Sequence, residues 1–300
     1  MTHEIVGRYA IVDGTRCYYD ECGTGIPLVC IHMGWACSLQ WQYFMPIMAA
    51  ARMRVIAPDL PGHAKSYPVN WQPFRKMRDY AEWVWKFIET VCPGEKPVVC
   101  GSGIGGDMTM QIACHHPDGI RAGMPFESAA KTGSSSFLSG YSDPHSFPGF
   151  AALIDNASTA AMYYPCEERK VIESKWQHRA TYHATCVADM DAWNDHDVRP
   201  YLQQIKVPMF FFKGEADYHI PDQDVLDTIA AIPDGLAEGG IAKGMGHLIM
   251  MEQPALLAEA CLGFLRWRGI LRMPSRRRPP GAGVTGRRHR PPRQRTASAA

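Results

Sequence analysis

No stretch of this 300-residue chain approaches the roughly 18 to 20 consecutive apolar residues that a membrane-spanning helix requires. The opening residues, Met1 to Gly7, lack the basic and apolar regions of a secretory leader, so a cytoplasmic protein without a membrane partner is expected. The ten cysteines include no Cys-x-x-Cys pair and no zinc-like Cys/His spacing, which excludes a disulfide framework or zinc finger and predicts reduced, mostly buried thiols. No His or carboxylate pair stands at helical metal spacing near the glycine-rich segment described below, so no metal and no cofactor is expected. Charge of one sign is also scarce, at a net +1, but it is unevenly spread. Residues 273–300 hold eight arginines and no acid, leaving 23 basic against 30 acidic residues in the rest.

What is present is apolar. At 46% hydrophobic, 10% aromatic and 20% charged residues, the composition excludes disordered, collagenous and coiled-coil classes and suits one large globular domain with an insertion. The 273–300 tail, rich in Arg, Pro and Gly, has no apolar periodicity and is expected to be disordered. A polyelectrolyte arm for nucleic acid is one reading of it. A solvated extension, with no nucleic-acid partner, is the simpler one.

Upstream, Glu4 to Ala10 and Arg16 to Tyr19 flank Asp13-Gly14, the signature of a β-hairpin. Short apolar runs bounded by Gly, Pro or Asp recur at 27–31, 53–57, 97–100, 122–126 and 207–212, as expected of strands buried on both faces of a parallel sheet. Helical periodicity fills 74–91, 104–115 and 255–267. The alternation predicts an α/β fold: a mostly parallel sheet with helices on both faces, its ligand site beyond the carboxyl ends of the strands. From 129 to 200 the alternation stops. That aromatic-rich segment is expected to be a helical cap over a core formed by 1–128 and 201–272.

The sharpest motif is the run from Val98 through Gly101-Ser102-Gly103-Ile104-Gly105-Gly106, a strand entering a helix through a turn crowded with glycine. It formally satisfies Gly-x-Gly-x-x-Gly, but a dinucleotide site belongs at the first strand of its fold and this turn follows roughly the fifth. It resembles the nucleophile elbow of the α/β-hydrolase family, in which small residues two places on either side clear a strained nucleophile. With Gly101 and Gly105 as the small positions, the nucleophile position is Gly103, which has no atom with which to attack a carbonyl. Ser102 would need small residues at 100 and 104, where Cys100 and Ile104 stand.

Three further motifs carry the resemblance. Strand 27–31 followed by His32-Met33-Gly34-Trp35 is similar to the family's oxyanion loop, implying backbone donors at Gly34 and Ile104. Asp59-Leu60-Pro61-Gly62-His63-Ala64-Lys65-Ser66 is similar to a family turn of structural role, with His63 a loop residue. Gly214 to Asp217, and Gly244 to Pro254 around His247, resemble the loops that supply the acid and the base, so Asp217 and His247 are implied as orienter and general base. Glu127, closing the strand 122–126, is an alternative acid, a position similar to that in zearalenone-type lactonases.

The resemblance implies a serine-type carboxylic ester or lactone hydrolase scaffold whose covalent step is inactivated at position 103, in the manner of an engineered substrate trap. The alternative is a natural non-hydrolytic relative, either a ligand binder or a lyase- or oxygenase-type enzyme using His247 as a lone base. Methionines and aromatics near the motifs suggest a mostly apolar or aromatic small-molecule partner, contacted by Met33, Trp35, Trp176 and Trp193.

Overall fold

The computed structural model describes residues 3–132, 161–163 and 166–272. The expected disorder of 273–300 and most of the opening half of the 129–200 segment therefore lie outside the described residues.

The chain opens with strands β1 (Ile5–Val12) and β2 (Thr15–Cys22), paired antiparallel with Val12 opposite Thr15. Asp13 and Gly14 both have positive φ, as a tight two-residue hairpin turn demands. Six more strands follow: β3 (Ile26–Ile31), β4 (Met53–Pro58), β5 (Val98–Ser102), β6 (Ala122–Phe126), β7 (Met209–Gly214) and β8 (Ala237–Ala242). Their order across the sheet is β1-β2-β4-β3-β5-β6-β7-β8, and every pairing from β4 to β8 is parallel.

Alternation along the strands divides the core between the two faces. Val29, Ile31 and Val99 join one apolar cluster, shared with helices α2 (Met77–Val91) and α3 (Ile104–His115). Leu28, Cys30, Val98 and Cys100 join the other, which takes in α1 (Met45–Ala50). Between β6 and β7 lie α4 (Glu168–Arg179) and α5 (His183–Asp195). After β7 come α6 (Asp222–Ala231), α7 (Ile249–Glu252) and α8 (Pro254–Trp267), the last two in the α1 cluster. All ten cysteines are free thiols and nine are buried. Among the described residues no helix is long and apolar enough to cross a membrane.

Strand β8 was not expected from the sequence. Its residues, Ala-Glu-Gly-Gly-Ile-Ala, sit at the sheet edge and are at most half-buried, so they carry no apolar run. Gly239 is required there because a Cβ would run into the Phe211 carbonyl of β7.

The elbow glycines are required for the same reason: a side-chain carbon on Gly101 would overlap the Gly105 carbonyl. Gly101→Ala should therefore cost about 1–3 kcal/mol in chemical denaturation through overpacking. Gly240→Ala, where nothing lies within 4 Å of the new carbon, should leave stability unchanged or slightly higher.

Candidate active site

β5 enters α3 through Gly103, at φ 56° and ψ −124°. Its amide donates to the Phe126 carbonyl at 3.1 Å and its carbonyl accepts the Asp107 amide at 3.0 Å, so the turn is fixed from both sides. A positive φ of this kind strains any residue bearing a Cβ. Gly105 is as confined as Gly101, because a Cβ there would meet the carbonyls of Ile31 and His32. At Gly103 the Cβ direction meets side chains and not backbone. A Cβ there would stand 3.2 Å from Nε2 of His247 and 3.3 Å from Cβ of Met33. Ser102, the last residue of β5, is fully buried.

His247 lies in the loop between β8 and α7. Its Nδ1 is 3.0 Å from Oδ2 of Asp217, an ion-pair distance slightly off hydrogen-bond alignment. Burial opposes ionisation of Asp217, but the facing imidazole, the Glu127 carboxyl and the His219 amide, 2.8 Å from Oδ1, outweigh it. The Asp217 carboxyl is held below the usual carboxylate range. His219 itself is pushed down to about 4, first by burial and then by the charge of His247, so it stays neutral with its ring 4.9 Å from that of His247.

Glu127 follows β6 with φ 48° and is fully buried. Oε1 accepts the Gly214 amide at 2.8 Å. Oε2 has no donor, and ligand atoms of Glu127, Asp217 and His247 all lie within 4.8 Å of one another. Burial, and then the negative charge of Asp217, push the Glu127 carboxyl well above its ordinary value. Two adjacent buried carboxyls resist double ionisation, and it is Glu127 whose ionisation the fold opposes. A metal ion on these three residues would need both carboxylates ionised in a fully buried place. Lys213, also buried, directs its ammonium at the carbonyls of Gly214 and Asp217, at 2.7 and 2.9 Å, and at Asp222 at 2.8 Å.

The Glu252 carboxylate shapes the base loop. It accepts the amides of Gly246 and Leu248, on either side of His247, and that of Tyr163, at 3.1, 3.1 and 2.8 Å. The His247 amide in turn donates to the Ala161 carbonyl at 2.7 Å. The returning end of the β6–β7 insertion is thereby tied to the loop that carries the imidazole.

In the loop after β3, the Leu60 amide donates to Nε2 of His32 at 2.9 Å, so the His32 proton sits on Nδ1 and is donated to the Met33 carbonyl at 2.7 Å. Burial and the neighbouring His63 keep this ring neutral. The Met33 amide donates to Oε1 of Gln40 at 2.9 Å and the Trp35 amide to Oδ2 of Asp189 at 3.0 Å, with Gly34 between them. Ile104 is the first residue of α3, where a helix leaves its amides without intrahelical acceptors.

Sequence reasoning missed Asp189 and Gln40; it expected Tyr163 only as an aromatic of the 129–200 segment and His219 only as a residue lining the loop after Asp217. Glu252 stands in the histidine motif, but the motif alone gives it no role. His63, expected as a loop residue, is fully buried, with Nε2 2.9 Å from Asp189. Of the four expected substrate contacts, Met33 borders the open position and Trp35 is buried, its indole N–H donating to the Cys186 carbonyl of α5 at 2.8 Å. The other two need correction. Trp176 is 73% exposed, because α4 buries the face bearing Ser174, Gln177 and His178 instead, and Trp193 packs into the α2–α3 core cluster.

A neutral Glu127 has a consequence for stability. The unfolded chain ionises this residue above about pH 4.5, whereas the fold keeps it protonated, so its contribution is favourable below that pH and is lost as pH rises toward its raised folded value. Glu127→Gln keeps the donor and the acceptor without the proton uptake. The variant should be more stable than the parent in denaturation at about pH 7.5, with the difference shrinking toward about pH 5. A variant less stable at the higher pH would show that Glu127 is ionised.

Several known proteins resemble this chain. It is 33% identical over 124 residues to the 2-hydroxymuconate semialdehyde hydrolase of Pseudomonas sp. (strain CF600), a match covering 39% of this chain and 41% of that protein. It is 24% identical over 275 residues to the 2-hydroxy-6-oxo-6-(2'-aminophenyl)hexa-2,4-dienoic acid hydrolase of Metapseudomonas resinovorans, covering 87% of this chain and 91% of that one. The enol-lactonase of Burkholderia xenovorans LB400 has the same fold, with a TM-score of 0.77 at 20% identity over 86% of this chain and 99% of that one. A family model described as "alpha/beta hydrolase fold" matches residues 26–254. The strand order, the elbow turn and the ordered loops around it agree with that match: the chain belongs to the α/β-hydrolase family, as its resemblance to these two hydrolases also indicates.

Proposed function

We propose that the chain carries the binding and proton-transfer parts of a carboxylic ester or lactone hydrolase for a mostly apolar or aromatic small molecule, with the covalent step removed at Gly103. The amides of Gly34 and Ile104 form the oxyanion hole, His247 is the base and Asp217 orients it. Glu127 stands behind Asp217 as a neutral partner. Residues 129–200 act as a cap over 1–128 and 201–272, and Met33 and Trp35 form part of the substrate wall. The resemblance to the two known hydrolases supports a hydrolytic reading of this site.

One observation carries the reading: the Cβ direction at Gly103, 3.2 Å from Nε2 of His247, with both elbow glycines retained beneath it. Those glycines are demanded by the backbone of the tight turn, and an imidazole paired with a carboxylate beside such a turn has its use in taking the proton of a side chain at 103. In the chain as it stands a carbonyl compound would be held beside the imidazole without being acylated onto the protein, as in a substrate trap. The intact pairing of Asp217 with His247 also favours a second reading, in which the imidazole acts directly as a lone base on a bound molecule or on water.

The test compares the chain with Gly103→Ser on aryl esters, lactones and thioesters. The serine variant should show an acylation burst and turnover at least about a thousandfold above the parent. Its folded state should be about 1–3 kcal/mol less stable, because a side chain then occupies the strained turn. Equal inertness of both proteins, with an apolar ligand still bound tightly, would favour the lone-base or binder reading.

A further inference from the structure

Asp189, in the α5 helix of the β6–β7 insertion, is fully buried and collects donors from three separate parts of the core. Oδ2 accepts the Trp35 amide of the loop after β3 at 3.0 Å and Nε2–H of His63, in the loop after β4, at 2.9 Å. Oδ1 accepts the Tyr80 hydroxyl of α2 at 2.7 Å. Both ring nitrogens of His63 face oxygen atoms, Nδ1 lying 3.2 Å from the Pro61 carbonyl, and although burial opposes it the facing Asp189 raises the imidazole above its ordinary value.

We propose that Asp189 is a positioning residue that sets the oxyanion loop by fixing the Gly34–Trp35 peptide, so that the conformation of the loop just after the Gly34 amide depends on the seating of α5. The proposal rests on the hydrolase reading above for the role of Gly34, but not for the contact itself.

Two peptide planes fix Gly34. The plane containing its own amide is held through the Met33 carbonyl, which accepts Nδ1–H of His32 at 2.7 Å and the Ala36 amide at 3.3 Å. The plane that follows contains the Trp35 amide and is held by Asp189. Trp35 has φ 65°, a conformation costing a bulky residue on the order of 1–2 kcal/mol unless its surroundings enforce it. Two hydrogen bonds from α5 hold it, Asp189 on the amide and the Cys186 carbonyl on the indole, and the ring also packs edge-on against His178 of α4. A Cβ on Gly34 would stand 3.4 to 3.6 Å from Met190 and Asp189, so the same helix lies against the donor glycine at van der Waals distance. A buried carboxylate with three partners on three elements leaves charged or polar atoms unpaired wherever the helix lifts, so the loop and the helix should move together.

The contact is tested on the unsubstituted chain, without any need for catalysis, by amide hydrogen exchange. Asp189→Ala and the near-isosteric Asp189→Asn should speed exchange across residues 34–36 by at least about tenfold while β5 and β6 keep their protection. Tyr80→Phe, which removes a different partner of the same carboxylate, should leave residues 34–36 protected. Unchanged exchange at 34–36 in both Asp189 variants, or an equal rise throughout the sheet, would overturn the proposal. In the Gly103→Ser background, Asp189→Asn should lower kcat at least about tenfold and move KM less than about twofold, and a change confined to KM would contradict it. If Gly103→Ser is itself inert while the exchange result holds, the hydrolase reading fails and the positioning contact stands.

Discussion

The backbone turn at residue 103 is the constraint on which the rest of the site depends. A parallel strand leads into a helix within one residue only by using a positive φ, and the tightness of that turn leaves no volume for side chains at 101 and 105. The turn aims the Cβ direction of residue 103 at the imidazole of His247, which a separate loop delivers from the far end of the chain. In this family a nucleophile ordinarily takes that strained position. Glycine adopts it without steric cost, so the present chain keeps the shape of the elbow and sheds its strain.

Around that turn, the buried charged groups described above each face a counterpart. Asp217 faces His247, Glu127 holds a proton against Asp217, and Lys213 is absorbed by two carbonyls and Asp222. Glu252 gives its carboxylate to three amides, two of which flank the base. Such groups contribute little net stability, but removing one partner of such a set is costly, so together they hold one geometry against alternatives. The β6–β7 insertion takes part on both sides of the site, through Ala161 and Tyr163 at the base loop and through Asp189 at the loop after β3.

Much of this arrangement was legible in the sequence because it is written in backbone chemistry. The apolar runs of β3 to β7, the glycine-crowded elbow and the Gly-flanked His247 follow from local requirements that the amino acids themselves state. What stayed hidden depends on long-range placement. Strand β8 carries two glycines and no apolar run because its partner β7, not its own side chains, defines it. Nothing local separates Asp189, fully buried, from Asp191 on the same helix, which pairs with Arg75 at the surface. Trp176 shows the converse: aromatic content suggested a pocket wall, but the face that α4 buries is the polar one. The ranking of Asp217 over Glu127 also came from a motif, and only the folded geometry shows Asp217 beside His247 and Glu127 on the Gly214 amide.

At the centre of this reading, the protein holds, ready-made, the surroundings of a nucleophile it does not have. The most direct measurement is labelling of the Gly103→Ser variant with an aryl phosphonate, followed by intact-protein and peptide mass spectrometry. One phosphonyl group per chain is expected, located on the serine introduced at position 103, and it should be lost when His247→Ala is added. An introduced serine that remains unlabelled in a folded protein with His247 intact, or labelling that persists without the imidazole, would contradict it.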